Sequence, residues 1–511
     1  SFARFDDRRM FLDTLRLEST AATVDAVGAL GLAADRTDSI TYRIVIDSLG
    51  GLRRYLGMLD AASRDSGAAP DSLAGSATVH GTLSGSLRAL RAMGRVAATN
   101  VVVRRPAGRD VSGSFDITNV LAAPTGSLAL RSRSLEVGGI ALDTLGVSLR
   151  LNEGRTGAFS LGARSVNDVS LAVQGEFARS DTATLVSFRS FALAADSSHW
   201  RLAGPVDIRR VGRGMTIDSL VLASDGGARI ALSGAMPDSG RARFLFRGDS
   251  VSLRDIGAIA QVRRPLSGWI NVTAAGAGTS LAPVMTAEAR LSSVSYGRLQ
   301  IERIVARGDY ANHRAQVQID VARGQASLLR AQGSLPLELR YFGARLLDDS
   351  LQASVRTAEA TLDLVEPMIQ GLRDATGRLV ANVDIGGTWK HPDVAGNVSV
   401  ENGEATLDSL GIRLRGIQID LGLFGHADSL AVRRAVAWSG ATPGDSISLS
   451  GSVGYRQFDN PTLNLRLDAR NFHAIDLRAV ARLDVSTESG GLRLSGPMSG
   501  ATVTGGIVAN R

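Results

Sequence analysis

Four times along this chain a short Leu-rich stretch with helical spacing runs toward a glycine and then into an alternating strand. The copies begin at Leu49, Leu253, Leu362 and Ile475, and the glycines that follow are Gly75, Gly268, Gly377 and Gly490. Leu253 and Leu362 stand 109 residues apart and Leu362 and Ile475 stand 113 apart, whereas 204 residues separate Leu49 from Leu253, room for one worn copy. Repetition at a fixed period marks stacked architecture, because each unit buries its apolar face only against its neighbours. The period is too long for one coil of a solenoid, so each unit must hold several strands. The units fall near residues 1–48, 49–160, 161–252, 253–361, 362–474 and 475–511, and no Pro-rich or Ser-rich linker separates them, which predicts one continuous body.

Within the units, apolar and polar residues alternate, the mark of a strand with one buried face. The apolar series are Ile40, Ile44 and Ile46 with Tyr42; Val317, Ile319 and Val321; Leu379, Val383 and Ile385; Val398 and Val400; Ile447 and Leu449; and Leu463, Leu465 and Leu467. In one further series Ile412 and Leu414 occupy even positions and Ile417, Ile419 and Leu421 odd ones. That change of parity requires a bulge or turn at Arg415-Gly416, since a one-residue slip sends every side chain to the other face. Asn402-Gly403 is the pair expected at a tight hairpin turn. From about Arg104 to Gly248 the alternation is less regular and leaves the facing of the strands open. The expected helices are few and read as caps at unit boundaries: Leu52, Tyr55, Leu56 and Leu59 at i, i+3, i+4, i+7; Ser252 with Asp255 resembling a capping box; and Pro367 near a helix start. The fold class is therefore all-β with a few short helices, an elongated, repetitive, twisted sheet.

Aromatic residues make up only 5% of the chain, and Gly 57 against Pro 13 fits many strands joined by tight turns. Cysteine is absent, which excludes a disulfide framework and a thiolate metal site. Lys390 is the only lysine, so the +7 net charge is carried by arginine, in isolated pairs rather than a stripe with interleaved aromatics, and no nucleic-acid partner is expected. No segment reaches about 18 consecutive apolar residues. The chain begins at Ser1, has its first methionine at Met10 and stops as a strand pattern restarts, which reads as a segment of a longer polypeptide. His80, His199, His313, His391, His426 and His473 lack paired ligand spacing. Ala275-Gly-Ala-Gly278 lacks the lysine of a phosphate loop, and Gly81-Thr-Leu-Ser-Gly85 is a near miss to a nucleophile elbow. These residues predict no enzyme, no metal and no cofactor.

The run from Gly377 to Tyr455 resembles the repeating core of the AsmA-like, TamB-type envelope proteins. A strand reaches a glycine and a Pro-x-Val-x-Gly segment opens the next hairpin, as in Gly387-Thr-Trp-Lys-His-Pro392-Asp-Val-Ala-Gly396. Gly491 to Gly505 repeats the pattern with Ala501 in place of Pro, and Ala274 to Val284 is a looser copy. In weaker form the resemblance extends from about Leu15 onward. It implies a sheet folded into a U-shaped apolar trough that bridges the inner and outer membranes of a diderm bacterium, anchored in the inner membrane in the full-length protein. It implies phospholipids as cargo and, for TamB-type members, an Omp85-class outer-membrane barrel as partner. The apolar residues named above would then line a lipid groove. Two other readings are a scaffold that presents sheet edges to nascent barrel strands, and a closed β-solenoid adhesin or stalk. Roughly 30 to 40 strands about 4.8 Å apart would extend on the order of 140 to 190 Å.

Overall fold

The computed structural model describes residues 2–5, 9–31, 38–52, 74–86, 89–102, 106–137, 140–196, 198–212, 214–237, 240–262, 264–279, 282–340, 343–369, 371–424, 429–440, 443–454, 460–477 and 481–510. The chain divides into two compact units, Ser1–Ser239 with Arg254–Arg263, and Gly240–Leu253 with Arg264–Arg511. The described residues form thirty-six strands and only a few short helices. In each unit the strands pair antiparallel, mostly with a neighbour in sequence, so the fold is largely a meander rather than a stack of parallel coils; some pairings skip one or two strands, as Ala183–Ala195 with Val206–Val211 and Thr462–Arg470 with Leu492–Pro497, and Gly31 with Ser86 is a parallel bridge. Neither unit closes into a barrel: among the described residues Phe2–Phe5 pairs only with Arg9–Glu18 in the first, and Thr502–Thr504 only with Leu492–Pro497 in the second.

The alternation read from the sequence is the reason the strands form. Along Ala89–Val102 the residues Arg91, Met93 and Arg95 are exposed while Ala92, Gly94 and Val96 are half-buried, one set on each face. Aromatic side chains on the inner face lie over glycines of the neighbouring strand. A Cβ added at Gly94, Gly175 or Gly157 would come within 2.8, 2.6 or 2.5 Å of the ring of Phe115, Phe159 or Phe177, its cross-strand partner. Such pairing lets a bulky ring and a bare backbone share one thickness of sheet.

The sequence repeat corresponds to a repeated backbone device. Gly75, Gly268 and Gly377 have φ of 112°, 121° and 111°, and 25 residues after each stands a left-handed residue, Asn100, Ser293 or Asn402, with φ of 51°, 50° and 51°. In all three cases the glycine faces the left-handed residue across a register shift in the ladder. A Cβ on Gly75 or Gly268 would lie 2.7 or 2.8 Å from a backbone oxygen of the facing bulge. Gly268→Ala is accordingly expected to destabilise the second unit by about 1–3 kcal/mol, read as a lower urea midpoint at unchanged slope.

Asn402-Gly403 therefore does not turn the chain. It lies inside the continuous strand Pro392–Leu407 as an extra residue opposite Gly377, with the ladder resuming on both sides, so the left-handed preference of Asn makes a bulge here and not a hairpin. The expected break at Arg415-Gly416 is also a bulge, with φ of 53° at Gly416 and a register shift between Arg415 and Gln418 inside Ile412–Phe424.

Leu49–Leu52 forms a 3-10 helix, and Tyr55, Leu56 and Leu59 lie outside the described residues. Leu253–Ile259 is an α-helix, α1, whose residues from Arg254 onward belong to the first unit. Asp255 does not act only at its N-terminus: the carboxylate is buried and accepts a 2.9 Å hydrogen bond from Trp200 Nε1, where Trp200 is itself 3% exposed. Just past α1, the Gln261 amide pairs with both backbone groups of Ala141 (3.0 and 2.7 Å), as a neighbouring strand would. Leu362–Met368 is a 3-10 helix with Pro367 in its last turn instead of near its start, where a residue without an N–H helps end the helix. The fourth helical stretch is a strand: Phe472–Leu477 pairs with Ala481–Thr487 in a small separate sheet, so Ile475, β-branched, finds a ladder partner in Leu483.

Candidate functional site

On one face of each unit the aliphatic residues stand in line across the strands. In the first unit Val24, Ile44, Val79, Val96, Gly113, Leu130, Val147, Leu161 and Val173 are successive cross-strand partners. In the second the line runs Val272, Ala289, Ala306, Ile319, Ala331, Val355, Val383, Gly396, Leu423, Leu430, Val453 and Leu463. At about 4.8 Å per strand these rows run roughly 40 and 50 Å along their sheets. No charged or hydrogen-bonding side chain interrupts either row.

The sequence-predicted lining residues all fall on this face, and they divide into two groups. Leu379, Val400 and Ile417 are buried beneath the 3-10 helix Leu362–Met368, in one cluster with Ala360, Leu362 and Ala437, and Val398, Leu414, Ile419 and Ile447 pack against its margin. Ile412 is buried with Phe472 of the small sheet, with Leu414, Ile447 and Leu467 alongside. Ile40 is buried with Leu30 and Leu90. These residues form core. The remainder, Ile44, Ile46, Val317, Ile319, Val321, Val383, Ile385, Leu421, Leu449, Leu463 and Leu465, are half-buried, leaving part of each side chain open to solvent, and belong to none of these clusters. The caps thus occupy only part of the apolar face.

The sequence reading missed most of the row in the first unit. Val96, Leu130, Val147, Leu161 and Val173 lie in or beside the stretch whose facing was left open. Glycines at Gly94, Gly113, Gly146 and Gly162 dilute the alternation there, two of them on the apolar face as partners of Phe115 and Leu130. Counting a glycine that faces a large residue as part of the apolar row would have recovered it.

The opposite face is polar and largely self-neutralised. Arg91 with Asp116 (2.6 Å), Arg189 with Glu176 (2.8 Å), Arg330 with Asp320 (2.8 Å) and Arg413 with Glu404 (2.6 Å) are cross-strand ion pairs. Exposed pairs of this kind contribute little each but keep the two faces distinct. Hydrogen bonds hold three carboxyls below their ordinary range: from the Arg91 guanidinium to Asp116, from the His199 backbone N–H and imidazole to Asp225, and from the Lys390 ammonium to Asp348. A carboxyl depressed in the folded state stabilises it fully above the unfolded value near about 4 and loses that contribution as pH falls through the folded value. Urea midpoints of both units are therefore expected to be flat from pH 7 down to about 5 and to fall below about 4, and Asp225→Asn is expected to blunt the fall in the first unit.

Among the described residues no cluster of three or more His, Cys, Asp or Glu side chains could hold a metal, and no helix is long and apolar enough to cross a membrane. Comparison of the chain with protein-family models, with curated proteins and with solved structures returns no match.

Proposed function

We propose that this chain is a stretch of a bridge-like conduit that carries phospholipid between the inner and outer membranes of a diderm envelope, as the AsmA-like, TamB-type proteins it resembles are expected to do. The observation that carries this reading is the uninterrupted row of aliphatic residues and glycines, all but Val173 half-buried, on one face of each unit. A 16-carbon acyl chain in water costs about 13 kcal/mol at ~0.8 kcal/mol per methylene, and an apolar floor removes most of that cost. The row is chemically monotonous, Val, Leu, Ile, Ala and Gly, and the rings of Phe115, Phe159 and Phe177 beside it are apolar too, so a chain meets no polar barrier along it and sliding is not arrested. Head groups remain in solvent, where their hydration is kept. The caps over part of the face fix the strands without filling its whole length. The reading is tested by native mass spectrometry with lipid extraction on the purified chain. Several phospholipids per chain without head-group preference are expected; a stably folded chain free of lipid would overturn it.

A further inference from the structure

A shallow basin of about 750 Å³ lies on the polar face of the second unit, over the strands from Leu299–Ala311 to Pro392–Leu407. Four of the eleven glutamines in the chain, Gln316, Gln318, Gln332 and Gln352, line it within three adjacent strands. They alternate with serines in a ladder: Gln316 faces Ser334 and Gln318 faces Gln332 across one strand pair, and Gln332 faces Ser354 and Ser334 faces Gln352 across the next. Arg–carboxylate pairs such as Arg330–Asp320 and Arg356–Asp384 flank this ladder; within it neutral amides and hydroxyls take their place. Only Gln316 uses its amide internally, donating to Ser334 Oγ at 3.0 Å, and the amides of Gln318, Gln332 and Gln352 have no protein partner among the described residues.

We infer that this basin binds a neutral oligosaccharide. Each amide offers two donor hydrogens and an acceptor oxygen, and each sugar hydroxyl is both donor and acceptor, so a regular lattice of amides and serines matches a polyhydroxylated chain whichever way its hydroxyls turn. The charge of the basin narrows the ligand class. Among the described lining residues Arg307 is the one cation and is paired with Glu288 (3.4 Å), and Asp384 is paired with Arg356 (2.5 Å), so the lining offers no unneutralised cation to phosphate, sulfate or nucleic acid. A second depression of about 410 Å³, lined by Asn271, Thr273 and Glu288, shares Arg307 and Asp309 with the first and continues the polar path, which suits a chain of several sugars better than a monosaccharide. The inference does not depend on the lipid reading, which concerns the opposite face.

The test is titration of the full chain with chitotetraose and with maltotetraose, followed by calorimetry and by saturation-transfer NMR. At least one of the two is expected to bind, and Gln318→Leu with Gln332→Leu is expected to weaken it at least about tenfold at an unchanged urea midpoint. Gln174→Leu, on the first unit, is expected to leave binding unchanged. No binding of either sugar up to about 10 mM, equal binding by the double variant, or capture of an extended polypeptide in place of sugar would each overturn the assignment.

Discussion

An aspartate at Leu465 or at Ile319 is expected to leave the chain folded and to lower the phospholipid bound per chain at least about tenfold. Both residues are half-buried on the apolar face and belong to no core cluster, so a carboxylate there reaches water in the empty protein. An acyl chain sliding over the same position must strip that water, and the effective cost of desolvating a carboxylate is several kcal/mol. The contrasting substitution is Ile417→Asp. Ile417 is 7% exposed beneath the 3-10 helix Leu362–Met368, and a charge placed there has neither water nor partner, so this variant is expected to lose about 4 kcal/mol or more and to unfold the second unit. Circular dichroism and lipid extraction on the three variants separate the open part of the face from the capped part. Normal lipid content in Leu465→Asp and Ile319→Asp would remove the apolar face from the transport path.

Trp200→Phe is expected to cost the first unit about 3 kcal/mol, far more than the loss of a few ring atoms. The indole N–H is the side-chain donor to the Asp255 carboxylate, and both residues are 3% exposed, so phenylalanine leaves a buried carboxylate stripped of that bond. Asp255→Leu in the Trp200→Phe background is expected to restore most of the stability, because a buried polar pair replaced by apolar groups is close to neutral whereas half a pair is not. Urea titrations of the two singles and the double supply the cycle. Additive losses in the double variant would show that the two side chains do not act through one another.

Much of the architecture was legible because period-2 alternation is a local signal that the ladder obeys. Ile44 and Val383 stand where their neighbours two residues away place them, and the parity change before Ile417 foretold the bulge at Gly416. What the sequence did not disclose depends on contacts across strands. Asn402-Gly403 carries the local preference of a turn, and only the facing Gly377, 25 residues away, makes it a bulge. Leu379 and Leu465 show the same alternation, yet one is buried beneath a helix and the other is not, a difference set by which connections fold back over the face. The glutamine ladder was invisible for the same reason: Gln316, Gln332 and Gln352 are scattered along the sequence and adjacent only in the sheet.

The matched glycine and left-handed residue, 25 positions apart in three repeats, bears on how such a protein changes over generations. Because each of these glycines and its left-handed partner lie on consecutive paired strands, a duplicated repeat arrives with its own bulge and facing glycine, and no distant residue has to be refitted to receive it. An insertion of one residue, by contrast, inverts every side chain downstream within its strand. Length in this architecture is thus a quantity that gene duplication can adjust in whole steps while single-residue drift is purged, so relatives of this chain are expected to differ in size by multiples of the repeat.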